Sequence, residues 1–320
     1  MDRKRRDEIF IIRIILRQLP DTLYAMSHDI TRRQWIVAAA AGATTALAPS
    51  LDAAMPRPLG AQLYTVRNIL MKQSDHVLKT IADIGYTEVE GNRADLVVLL
   101  PKIQQYGLKP VSCHIETPLI TKNWELYPDI KEMRLEDAID SAKKVGVSYF
   151  TLAYISPGAR GDGDDFYRRT ADRMNAAGEL CKKAGMQMAY HNHAYEFGGK
   201  PGMRPIDIFF DRLDPLLVKM EVDVFWLSVA GQDPVGMLKK WRGRVALLHL
   251  KDKAKDAPHM FDESMPAGAF QEVGSGSLDF PAILEAAPAA GVKHYIVEQD
   301  QTPGDPLESL RKSFNYLKTV

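Results

Sequence analysis

Cysteine is nearly missing from these 320 residues: Cys113 and Cys181 are the only two. They are too few and too far apart for a disulfide framework or a Cys-x-x-Cys zinc site, and read as buried apolar fillers. An excess of charge is missing too, with Lys+Arg and Asp+Glu standing at 41 each. A balanced chain exerts no long-range pull on phosphates or anionic lipid, which disfavours a nucleic-acid partner and leaves a small molecule. No Gly-x-Gly-x-x-Gly follows the first candidate strand, so the main reason to expect a dinucleotide-binding sheet is gone. What is present, 46% apolar and 26% charged residues, is the composition of a globular enzyme.

The N-terminal stretch stands apart from the rest. Thr31-Arg32-Arg33-Gln34-Trp35-Ile36-Val37 leads into an alanine-rich apolar run ending at Ala48, followed by the small, turn-prone Pro49-Ser50-Leu51-Asp52-Ala53-Ala54. Paired arginines before a mildly hydrophobic segment resemble a twin-arginine signal, which implies the twin-arginine export machinery as a partner and a periplasmic or exported location. The run from Ile36 to Ala48 is too short to cross about 30 Å of hydrocarbon as a helix. An ordinary amphipathic helix is the alternative. Before it, Ile9 to Leu16 forms a second, basic-flanked apolar stretch, and Met26 is the more natural start. Residues 1–55 are therefore expected to be an N-terminal extension and export signal, and 56–320 the folded enzyme.

From Leu59 onward, short β-branched or apolar runs alternate with longer segments of helical period, the mark of βα units and a parallel sheet. Eight strands are expected: 59–64, 86–90, 109–114, 148–153, 186–191, 218–224, 245–250 and 293–298. Helices are expected between and after them at 75–84, 95–106, 130–145, 165–184, 205–213, 234–241, 280–290 and 306–317. Five of these helices run into a glycine (Gly85, Gly107, Gly146, Gly185 and Gly291) suited to the left-handed turn that closes a helix before a strand. Eight repeats in about 250 residues predict a single (β/α)8 TIM barrel, with an open doubly wound sheet as the alternative.

In such a barrel, chemistry gathers at the C-terminal ends of the strands, and here those ends are dense in acids and imidazoles. They include Glu90, His114, His191-Asn192-His193 with Glu196, Asp223, His249 with Lys251 and Asp252, and Glu298 with Asp300. So many carboxylates in one mouth require a cation or protonation. Asp223, His249 and Glu298 end the last three strands, and their mixed oxygen and nitrogen donors suit a divalent ion: manganese, zinc, cobalt or magnesium. The short glycine-serine stretch Gly274-Ser275-Gly276-Ser277 fits a turn better than a phosphate loop.

Several segments together resemble the xylose-isomerase-like superfamily of TIM barrels, often labelled sugar phosphate isomerases/epimerases. They are Leu59-Gly-Ala-Gln-Leu-Tyr-Thr-Val-Arg67, Gly85-Tyr-Thr-Glu-Val-Glu90, Tyr190-His-Asn-His-Ala-Tyr-Glu-Phe197, Asp223-Val-Phe-Trp226, His249-Leu-Lys-Asp252 and Val297-Glu-Gln-Asp300. The likeness covers the chain after residue 58. It implies metal ligation by Asp223, His249 and Glu298, with a fourth ligand from strand five. Epimerases of the superfamily have a glutamate there; this chain has His191, with His193 on the same side of the strand and Glu196 in the loop as alternatives. Their Asp-x-x-His is replaced here by Asp223-x-x-Trp226, which offers an indole face for a sugar. Tyr64, Glu90, His114 and Lys251 are expected to contact a sugar or keto-sugar substrate. Self-association into a homo-oligomer stays open.

The chemistry implied is proton abstraction next to a carbonyl, with the ion stabilising the enediolate. Isomerisation or epimerisation would use Glu298 as one acid/base and His191, His193 or Glu196 as the other. The alternative is a dehydratase or lyase acting on a keto-sugar or keto-inositol, with His193 protonating the departing group; the Tyr-His-x-His strand end is similar to that of inosose dehydratases. A sugar-binding protein that has lost catalysis is a third reading.

Overall fold

A computed structural model describes residues 58–320 apart from 126, 131, 132 and 162. The arginine pair and both N-terminal apolar stretches, hence the expected export signal, lie outside the described residues. Eight parallel strands close into a barrel: β1 (Leu59–Gln62), β2 (Glu88–Asn92), β3 (Lys109–His114), β4 (Tyr149–Leu152), β5 (Gln187–His191), β6 (Val218–Asp223), β7 (Val245–Leu250) and β10 (His294–Val297). Around the barrel the order is β1-β10-β7-β6-β5-β4-β3-β2. Two short strands, β8 (Asp252–Lys253) and β9 (Phe270–Gln271), form an antiparallel ribbon beyond the end of β7.

The helices form where the sequence places their ends. Asp233, Asp279 and Asp305 each accept backbone N–H bonds at a helix start, with proline in the first two helical positions. At the other ends all five expected glycines adopt positive φ, from 70° to 118°. At Gly85 the demand is double, because an added Cβ would also meet the Phe314 ring at 2.5 Å. Helix Gly163–Ala184 starts two residues earlier than expected, whereas helix Leu135–Val145 starts five later, since Pro128–Ile130 turns as a 3-10 segment. The helices bury their apolar faces on the barrel, giving one main core through residues such as Val77, Leu96, Phe150, Met174, Phe209, Leu248 and Phe280.

Candidate metal and substrate site

Strand register brings the functional side chains to one level. His191 pairs with Glu221 across β5 and β6, and Asp223 pairs with His249 across β6 and β7. One bond pattern ends β6 a residue earlier than expected: Asp223 caps helix Val224–Val229, its Oδ1 accepting from the Trp226 N–H at 3.0 Å. That leaves Asp223 Oδ2 buried and without a hydrogen bond. Asn192 holds the same residue by its backbone, accepting from the Asp223 N–H at 3.1 Å and donating to its carbonyl at 3.4 Å.

Around Asp223 Oδ2 lie Lys251 Nζ at 3.0 Å, His191 Nε2 at 3.7 Å and His249 Nδ1 at 3.9 Å. His249 Nδ1 is also 2.9 Å from Glu298 Oε2. Ligands of a tetrahedral ion with bonds of roughly 2.1 Å stand roughly 3.4 Å apart. The spacing, the nitrogen and oxygen donors and an Asp223 Oδ2 that has an ion pair with Lys251 but no hydrogen bond fit a divalent cation, held by Asp223, His249 and Glu298, whose donor atoms lie within 4.8 Å of one another. His191 adds a fourth donor, the second nitrogen, next to this set.

Lys251 is the ammonium of the site. Its Nζ lies 2.7 Å from Glu298 Oε2 and 3.1 Å from Asp300 Oδ2 as well as beside Asp223. Burial opposes its charge, but Asp223, Asp300 and Glu298 outweigh burial and hold its pKa well above the lysine range. For Glu298, burial pushes upward, yet Lys251 and His249 overcome it and keep the carboxyl ionised far below its ordinary pKa. Asp300 goes the other way: burial raises it to about 6 despite Lys251.

Above this layer opens a cavity of about 640 Å³, whose walls include His114, His191, His193, Trp226, Lys251 and Glu298. His193 packs between the Tyr154 and Trp226 rings, at centroid distances of 4.8 and 5.3 Å. Its Nδ1 is buried and without a partner, as is the Trp226 indole N–H. Burial, then the Lys251 charge, holds the His193 pKa well below the usual value, so the ring is neutral. Tyr64 stands at the rim, 44% exposed, with the Arg67 guanidinium over its ring.

Besides Asp223 and His249, two further expected site residues sit deeper than the cavity wall. Glu90 is fully buried on the barrel floor, where Gln62 donates to it and His114 and His249 meet it at 2.9 and 2.7 Å. Glu196 is also fully buried; the 3-10 turn Tyr195–Phe197 tucks it behind His193, whose backbone N–H donates to it. Tyr190 Oη donates to its other oxygen, and burial lifts its pKa to about 7. Sequence reasoning missed Glu221. It lies in mid-strand between Met220 and Val222, yet its Oε2 is 3.2 Å from both His114 Nε2 and His191 Nδ1. The signal available was its two-residue step from Asp223, which puts both on one side of β6.

The glycine-serine stretch is a nest already filled from within. The backbone N–H groups of Gly274, Gly276, Ser277 and Leu278, with that of Lys253, donate to the Asp252 carboxylate at 2.7 to 3.1 Å. A side chain at Gly276 would collide with the same carboxylate.

A closed parallel barrel with a ring of metal-competent donors at its C-terminal mouth defines a class of TIM-barrel enzymes. Within it, the chain belongs to the xylose isomerase-like TIM barrel family, whose model matches residues 78–320. An inosose dehydratase of Clostridium botulinum (strain Alaska E43 / Type E3) is 32% identical over 265 residues, 76% of this chain and 88% of that protein. Another, from Geobacillus thermodenitrificans (strain NG80-2), is 31% identical over 157 residues, 46% of this chain and only 52% of that protein, so the chain spans about half the length of this relative. Among solved structures, a sugar phosphate isomerase/epimerase from Parabacteroides distasonis ATCC 8503 superposes with a TM-score of 0.67 at 26% identity, covering 84% of this chain and 96% of that one.

Proposed function

We propose that this protein is a metal-dependent lyase that removes water from a keto-inositol or keto-sugar. The observation that carries the reading is His193: a neutral imidazole, at the cavity wall, with an unpartnered buried Nδ1 beside the cation cluster. Such an imidazole accepts the proton α to a carbonyl and, as imidazolium, returns it to the hydroxyl leaving from the β carbon. One C–H and one C–O bond break, one C=C forms, and one water departs. A divalent ion held by Asp223, His249, Glu298 and His191 would polarise the carbonyl and stabilise the developing oxyanion. Lys251 adds a fixed positive charge at the same place, and Trp226 offers a face to the ring of the substrate.

Isomerisation or epimerisation needs a second proton-moving group, for which Glu298 is the natural choice from position alone. Its ionised state, with Lys251 and His249 both on the carboxylate, makes it a poor proton acceptor and a good ligand. The two relatives named as dehydratases weigh the same way, while the Parabacteroides neighbour keeps isomerisation as the second reading. The test is incubation of the metal-loaded protein with keto-inositols and keto-sugars in deuterated water. Loss of one water in the product mass supports the lyase; deuterium uptake with no loss of water overturns it in favour of the isomerase. His193→Gln should lower kcat about 10²- to 10⁴-fold with bound metal unchanged.

A further inference from the structure

Beneath the ligand layer lies a second layer that touches no part of the cavity where substrate would sit, except through His114. It consists of Glu90, Glu221 and His114, with His114 Nε2 2.9 Å from Glu90 Oε1 and 3.2 Å from Glu221 Oε2. Both glutamates are fully buried, and each keeps one oxygen without any hydrogen bond. Burying two carboxylates with unused acceptor oxygens is a costly way to fill a barrel floor, since apolar side chains of similar size would serve packing as well or better.

Their position relative to the ligand imidazoles gives them a task. His249 turns Nδ1 toward Asp223 and Glu298 and presents Nε2 to Glu90 Oε1 at 2.7 Å. His191 does the reverse, turning Nε2 toward Asp223 and presenting Nδ1 to Glu221 Oε2 at 3.2 Å. A neutral imidazole that gives its lone pair to a cation carries its single proton on the other nitrogen, and a carboxylate beyond that nitrogen fixes both tautomer and ring plane.

We propose that Glu90 and Glu221 are positioning residues that lock His249 and His191 into opposite tautomers, so that the ion receives Nδ1 from one ring and Nε2 from the other. His114 joins the two glutamates, so the second layer acts as one unit. The inference rests on the reading that Asp223, His249, Glu298 and His191 hold a divalent metal.

Zinc is the probe, being diamagnetic. In the zinc-loaded wild type with ¹⁵N-labelled histidine, the proton is expected on Nε2 of His249 and on Nδ1 of His191, read from the ring nitrogen shifts and couplings. Chelator competition without substrate should then give zinc affinities weakened about 10- to 100-fold in Glu90→Gln and in Glu221→Gln, with partial recovery in Glu221→Asp. The opposite tautomers, or affinities within about twofold of wild type in both Gln variants, would overturn the proposal. If a variant fails to fold, the tautomers of the wild type decide alone. A wild type that binds no zinc removes the metal reading and this proposal together, whereas failure of the lyase reading leaves both measurements untouched.

Discussion

Two buried aspartates at the mouth of the barrel, Asp223 and Asp252, show opposite uses of the same side chain. Asp252 is sated: five backbone N–H groups surround its carboxylate, and the loop 274–278 is folded around it. Asp223 spends one oxygen on a helix cap and leaves the other without a hydrogen bond beside Lys251 and two imidazoles. A carboxylate satisfied on every side holds the fold together. One left wanting is available to a ligand, and the chain around it carries the electrostatic cost.

The difference can be broken by mutation, most severely at Asp223. Asp223→Asn should weaken zinc binding by more than about 100-fold, beyond the effect of second-layer residues, and abolish turnover. The metal-free variant should melt no lower than the wild type, because an incompletely compensated buried charge is gone. Calorimetric titration with zinc and thermal unfolding of the metal-free protein check the two halves.

Asp252→Ala should do the converse. With the N–H groups of the loop left without their acceptor, unfolding in urea should show a loss of about 3 kcal/mol, while bound zinc per molecule stays at the wild-type value. A midpoint within error of wild type would mean that the loop does not depend on Asp252.

Glu196 lies between the two cases, with bonds from Tyr190 and His193 that do not prevent burial from lifting its pKa from 4.5 to about 7. A pKa raised by folding gives a contribution to stability that is complete below pH 4.5 and is lost as pH rises through 7. Wild type should therefore lose stability relative to Glu196→Gln between pH 5 and 8, by at most about 1.4 kcal/mol per pH unit. Parallel melting curves at four pH values measure this; a pH-independent difference contradicts a neutral buried carboxyl.

The barrel was legible because its cues are local. Helix period, proline at helix starts and glycine at helix ends lie within a few residues of each other, and β3, β7 and helices Phe280–Ala290 and Pro306–Leu317 fall where the sequence puts them. The ring of Asp223, His249 and Glu298 was legible for the same reason, since a strand end is a local feature. Depth was not. Whether Glu90 meets a substrate or lies under a histidine depends on its alignment with β1 and β3, and on His249 reaching across the barrel, none of which is written near residue 90. Glu221 was hidden by its setting, a charged residue inside an otherwise apolar strand. Asp252 follows Lys251 in sequence, yet the two face different surroundings, one a nest of amides and the other the carboxylates of the mouth.

The clasp between Asn192 and Asp223 extends the β5–β6 ladder by one rung made from a side chain. It ties the spacing of His191 and Asp223 to the rigid wall of the barrel and leaves the loops above out of that work. Insertions and replacements in those loops can therefore reshape the entrance without disturbing the donors beneath, and a library confined to the rim offers a route to new substrates on an unchanged catalytic floor.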